Sequence, residues 1–228
     1  MPCFPSVTPG VLVMFDDVST AALTGLQYMI DNSINGTVYA ISDRIGTEGY
    51  LTAENYATLD AANIVVGNHT KTHNDLTGMT REAQALQFVN CKNALDALGL
   101  TRASDFVAYP FGAFNADTLL AMADAGLKDG RGNPFPLYTQ QTFLPKITPL
   151  YKVPWFDVTY TTTVEAVKGW INDAVVTGSN LCLVWHKLVA ESPIAYEWLQ
   201  SDFEEIMDYI IAQGICTKTI LDAYNERF

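Results

Sequence analysis

Val11-Leu12-Val13-Met14-Phe15-Asp16-Asp17 joins an unbroken apolar run to two adjacent carboxylates. A short apolar run of this kind reads as a buried strand, and its end is where polar chemistry can emerge. Further runs follow at Thr37 to Ile41, Ile64 to Val66, Phe106 to Tyr109, Leu150 to Val153 and Leu181 to Trp185, with a weaker pattern, broken by Gly and Pro, around Leu127 to Arg131. Helical patterns separate them, roughly at 20–31, 53–61, 80–98, 115–125 and 163–176. Near the C-terminus, Phe203, Ile206, Met207, Ile210 and Ile211 form one apolar stripe, preceded by Ser201 and Glu204 at capping-box spacing. Strands alternating with helices predict parallel βα units, here an α/β domain covering residues 1–228. The segment from Gly130 to Pro149, with Pro134, Pro136, Pro145 and Pro149, is expected to be an irregular surface loop near the site.

If the strands are parallel, their C-terminal ends share one edge, where α/β folds hold their chemistry. The chain has only three histidines, and all stand beside such ends: His69 and His73 after Ile64 to Val66, and His186 after Leu181 to Trp185. One acid and two imidazoles suit a divalent metal ion, leaving a second acid and a third imidazole for proton transfer. The i,i+4 spacing of His69 and His73 brings two rings together on a helical turn, but on an extended strand would separate them by roughly 13 Å. Gly67-Asn68 therefore has to end the strand. Each feature also has a plainer reading: an Asp-Asp pair caps helices and turns, and a lone histidine in an apolar run packs in a core.

Composition narrows the classes. A hydrophobic content of 49% with 17% charged residues indicates a folded globular chain. Thirteen basic against 25 acidic side chains give a net charge of −12, which repels phosphate backbones, so neither nucleic acid nor an anionic membrane is an expected partner. No apolar run approaches a membrane span, and the opening MPCFPSV lacks the features of a signal peptide. The expectation is a protein acting where it is made, or one whose leader or larger precursor has been trimmed. Cys3, Cys91, Cys182 and Cys216 show no Cys-x-x-Cys spacing; Cys91 and Cys182 read as buried free thiols.

Taken in order, Phe15-Asp16-Asp17, His69-Thr70-Lys71-Thr72-His73, Tyr109-Pro110-Phe111-Gly112 and the strand ending in His186 resemble the polysaccharide deacetylases of the NodB-homology type, carbohydrate esterase family 4. The resemblance runs from Val11 to about Tyr224. It implies a distorted (β/α) barrel with fewer than eight parallel strands and metal-dependent removal of acetyl groups from sugars. By resemblance Asp16 is the catalytic base, and Asp17, His69 and His73 hold one divalent ion, Zn2+ first and Co2+ or another transition metal next. The backbone N–H of Phe111 supports the oxyanion and His186 is the general acid. Tyr109, Pro110, Gly112 and Trp155 border the substrate, with Thr70 and Thr72 supporting the ligands.

Tyr138, Tyr151 and Trp185 are further candidates for a sugar groove, and Asp157 is a candidate partner for His186. One departure stands out. Many members carry arginine two residues before the motif's proline, placed to orient the base, whereas this chain has Ala108. The expected substrate is an acetylated poly- or oligosaccharide, which points to an extracellular, cell-surface or virion setting. The alternatives are an O-acetyl esterase or small cyclic-amide hydrolase on the same fold, or an inactive carbohydrate-binding module of a larger surface or virion protein.

Overall fold

In the computed structural model, residues 9–132, 143–144 and 155–226 are described. Strands β1 (Gly10–Phe15), β2 (Gly36–Ala40), β3 (Ile64–Asn68), β4 (Ala103–Ala108) and β5 (Asp129–Arg131) come first. They are followed by β6 (Phe143–Leu144), β7 (Phe156–Asp157) and β8 (Asn180–Trp185). The remaining strands are β9 (Lys187–Val189), β10 (Glu197–Leu199) and β11 (Cys216–Lys218). Helices α1 (Leu23–Asp31), α2 (Ala53–Ala61), α3 (Arg81–Ala97), α4 (Ala116–Asp124) and α5 (Val164–Thr177) lie between the sheet strands, and α6 (Gln200–Ala212) and α7 (Ile220–Asn225) close the chain. Seven parallel strands in the order β5-β4-β3-β2-β1-β8-β7 curl into an incomplete barrel, with β11 beside β1 and the antiparallel β6 beside β8.

The central strand explains why the site lies where it does. Side chains alternate along a strand, so Val11, Val13 and Phe15 pack outward in the cluster containing Leu26, Val167, Ile171, Phe203 and Ile206. Leu12 and Met14 point inward with Tyr39, Val65, Phe106, Ala108, Val184 and Ile220. Asp16 continues the inward parity, and its N–H extends the ladder by donating to the carbonyl of Trp185 at 2.9 Å. A slip of one residue would carry the whole apolar set to the wrong face. The six-residue register from Gly10↔Asn180 to Phe15↔Trp185 holds it in place.

Threonine and asparagine start most helices: Thr52, Asn115 and Thr219 form reciprocal capping boxes, while Thr80 and Thr163 cap with their hydroxyls alone. The expected box at Ser201 and Glu204 is not formed. Helix α6 already begins at Gln200, leaving Ser201 inside the first turn, and its cap position, Leu199, has no side-chain oxygen to offer. Glu204 accepts instead from Gln200 Nε2 at 2.7 Å. The helical pattern from residue 20 opens as a 3-10 turn, Thr20–Ala22, before α1. Cys91 is a buried free thiol, Cys182 is buried, and Cys216 is exposed. The strand expected at Leu150 to Val153, the residues Tyr138 and Tyr151, and Cys3 lie outside the described residues. Among the described residues, no helix is long and apolar enough to cross a membrane.

Candidate active site

Asp16 and Asp17 leave the same strand end but face different surroundings. Asp17 has a positive φ of 51°, which turns its carboxylate out of the strand parity towards the β3 end. There Asp17 Oδ1 lies 3.4 Å from His69 Nε2 and 3.0 Å from His73 Nε2. The three candidate ligand atoms fall within 4.8 Å of one another. Two donors on a tetrahedral zinc at its usual bond lengths sit about 3.4 Å apart, so the set fits one small divalent cation. Asp17 Oδ1 is buried yet has no partner with hydrogen-bond geometry, as a shared ligand atom would be. His69 Nδ1 lies 2.8 Å from the carbonyl of Ala108 and donates to it, so Nε2 is the nitrogen that faces Asp17, and although burial opposes it the Asp16 and Asp17 carboxylates raise the pKa of this ring.

The two histidines do not share a helical turn. β3 ends at Asn68, and the residues after it form an open loop with Thr70 at φ 65° and His73 at φ 62°. These left-handed residues fold the loop back so that the rings meet at 4.7 Å, the proximity a helical turn would also have supplied. Thr70 Oγ1 accepts from the N–H of His73 at 3.1 Å, while Thr72 donates to Gln87 Oε1 through both its N–H and its hydroxyl. Charge follows geometry. Burial opposes ionisation of Asp17, but His69 and His73 hold its carboxyl far below the carboxylate range. Burial and the neighbouring His69 push His73 down to about 4, which keeps its ring neutral and able to ligate.

Asp16 is nearly sealed. Burial would raise its pKa, yet Arg131, His69 and His186 outweigh that and lower it. The guanidinium of Arg131, only 1% exposed, donates from Nη2 to Asp16 Oδ1. It is clamped between the rings of Tyr39 and Trp155, its Cζ 4.9 and 4.6 Å from their centroids. Parallel pairing sets Arg131 directly across from Ala108, on the same inward face. The cation missing from position 108 is thus supplied by the neighbouring strand, over a side chain small enough to leave room. Sequence reading missed Arg131 because it lies in the weakest strand pattern.

Tyr109-Pro110-Phe111-Gly112 forms a tight turn after β4. Phe111 takes φ 58° and leaves its ring 70% exposed, 4.8 Å from the ring of His73. Gly112 is obligatory: it has φ +65°, and a Cβ there would sit 2.2 Å from Trp155 Cη2. Tyr109 is buried among Phe88 and Phe114, so it supports the turn from below. His186 follows β8, with Nδ1 3.5 Å from Asp157 Oδ1 on the adjoining β7. Burial raises the Asp157 pKa although His186 pulls the other way. Trp185, expected near a groove, is fully buried against Phe15, Trp198 and Phe203 and belongs to the core. A recess of about 310 Å³ between Asp43, Arg44, Thr47 and Thr72 adjoins the histidine loop.

The chain resembles known proteins in sequence and in fold. The polysaccharide deacetylase family matches residues 6–130, and the chain belongs to that family. YxkH of Bacillus subtilis (strain 168), named for the same family, is 26% identical over 121 residues, which make up 53% of this chain and 43% of YxkH. The match thus spans less than half of that relative. The fold is that of a family 4 carbohydrate esterase from Streptomyces lividans solved with acetate (TM-score 0.61, 15% identity, 93% of this chain and 92% of that one). It is likewise that of the peptidoglycan deacetylase PdaC from Bacillus subtilis (TM-score 0.60, 15% identity, 96% and 93%).

Proposed function

We propose that the protein hydrolyses N-acetyl groups on an amino-sugar polysaccharide, using one divalent metal ion held by Asp17, His69 and His73. The observation that carries this reading is the pairing of a three-donor cluster with an adjacent carboxylate kept ionised by a buried arginine. A divalent ion held there would polarise the acetyl carbonyl and lower the pKa of water from 15.7 towards ~7, with zinc the best match to one carboxylate and two imidazoles. Asp16 takes a proton from the attacking water as the new C–O bond forms. Arg131 fixes that carboxylate in one orientation and in its charged form. The N–H of Phe111 donates to the oxygen that gains charge. His186, whose Nδ1 lies 3.5 Å from Asp157 Oδ1, delivers a proton to the nitrogen as the C–N bond breaks, giving acetate and a free amine.

Metal content is the direct test. The wild-type protein should bind about one divalent ion per chain by elemental analysis and titration, and the His69→Ala, His73→Ala double variant should lose it. Unchanged stoichiometry in a folded double variant would rule the cluster out. Acetate release should then be screened over chitin oligomers, peptidoglycan, poly-N-acetylglucosamine and acetylated xylan, with zinc, cobalt and chelator.

His186 has its own signature. An amine is a poor leaving group until protonated, whereas an activated phenol leaves unaided. His186→Ala should therefore lower hydrolysis of an N-acetyl sugar by roughly 10²- to 10⁴-fold, with a much smaller loss on an activated aryl acetate and unchanged metal content. Equal losses on both substrates would leave His186 a structural residue.

A further inference from the structure

Immediately after His186 the chain makes an excursion that the reaction outlined above does not use. β9 leaves the site, and residues 190–196 loop out before β10 returns alongside β9, pairing Lys187↔Glu197, Trp198↔Leu188 and Leu199↔Val189. Trp198 anchors the return: it is buried, and its Nε1 donates to the carbonyl of Thr162 at 2.9 Å. Two positions earlier the packing changes character. Tyr196 is 57% exposed, and its ring lies 5.0 Å from the ring of His186. Ala195, directly before it, holds φ 50°, a conformation costly for a residue with a Cβ, and Ser192 holds φ 52°. The loop is tied down in this form, with the carbonyl of Ala195 accepting from the N–H of Tyr160 and that of Tyr196 accepting from Lys187.

A large ring placed in solvent by strained backbone gains little for the core. A related combination occurs on the opposite flank, where Phe111, itself at positive φ rather than preceded by such a residue, exposes its ring against His73. The row of reactive groups therefore carries an exposed aromatic ring at each end, one beside a candidate metal ligand and one beside the candidate leaving-group acid. An exposed aromatic face offers flat apolar area with few rotamers to freeze, which suits the C–H face of a sugar ring.

We propose that Tyr196 is a substrate-binding residue on which the pyranose ring bearing the departing amine stacks. A nitrogen within reach of His186 puts its attached sugar ring beside the imidazole, which is where the Tyr196 ring stands. This rests on the amino-sugar deacetylase reading above and makes the β9–β10 loop a determinant of which sugars are accepted.

The test uses the full chain and the N-acetylglucosamine pentamer. In an Asp16→Asn background, which prevents turnover, calorimetric binding of the pentamer should weaken roughly 10-fold with Tyr196→Ala and recover with Tyr196→Phe, as expected for a contact made by the ring face. In the otherwise wild-type enzyme, Tyr196→Ala should raise KM for the pentamer with little change in kcat. Unchanged pentamer binding, or a fall in kcat alone, would make Tyr196 a support for His186 and overturn the proposal. Absence of pentamer binding with Tyr196 intact, together with no acetate release from any amino-sugar polymer, would overturn the underlying deacetylase reading instead.

Discussion

Arg131→Ala should destabilise the protein by about 3–5 kcal/mol, the usual cost of leaving one member of a buried ion pair without its partner. Removing the guanidinium leaves the Asp16 carboxylate, only 5% exposed, without its counter-charge and takes away the group packed against the rings of Tyr39 and Trp155. Urea unfolding gives the stability change, and activity per folded molecule should fall as well, because the base loses both its orientation and its charge. The double variant Asp16→Asn, Arg131→Met separates the two effects: with neither charge left it should regain most of the stability and none of the activity. A wild-type unfolding midpoint for Arg131→Ala would show that the pair is not an energetic unit.

The same pair predicts acid sensitivity, and the sign follows from the direction of the shift. The folded-state pKa of Asp16 lies below its ordinary value of 3.8. Folding is therefore favoured by ionised Asp16 at pH values above 3.8, and that contribution drains away as the pH falls below it towards the folded-state value. In Asp16→Asn, Arg131→Met, this part of the acid dependence should be missing.

How much of this was legible beforehand depended on how local each signal was. Strand β1 is written in consecutive residues and bounded by its carboxylates, so it could be read directly, but the face that Asp16 takes could not, because a strand buried on both faces carries no alternation. The loop holding His69 and His73 was legible in outcome but not in form: the spacing pointed to proximity, yet left-handed Thr70 and His73 achieve it without a helix, and neither residue type advertises positive φ. Arg131 was illegible for another reason. Its partner is 115 residues away, and its function depends on the register that sets it across from Ala108. Sequence shows a small residue where a cation is expected; only the pairing of β4 and β5 shows where the cation went. Trp185 fails in the opposite sense, since an aromatic at a strand end looks available until the outward parity of β8 buries it.

The largest functional effect should come from Asp16→Asn, and its contrast with Asp17→Asn is the sharpest test of the division of labour between neighbours. An amide of the same shape can still accept from Arg131, at the stability cost of leaving that buried guanidinium without its counter-charge, but it cannot take a proton from water, so turnover is compared per folded molecule. Turnover should drop at least ~10²- to 10⁴-fold, the range general-base removal costs, while metal content stays near that of the wild type. Asp17→Asn removes the carboxylate whose Oδ1 sits 3.0 Å from His73 Nε2 and 3.4 Å from His69 Nε2, so it should weaken metal binding first and turnover in consequence. Added zinc discriminates between them: raising its concentration should recover part of the Asp17→Asn activity and none of that lost in Asp16→Asn. The physical root is the backbone at Asp17, where a positive φ sends two identical side chains into different surroundings. If Asp16→Asn retained wild-type turnover at matched metal occupancy, the proton acceptor would have to be sought elsewhere, and the Asp16–Arg131 pair would be left a purely structural element.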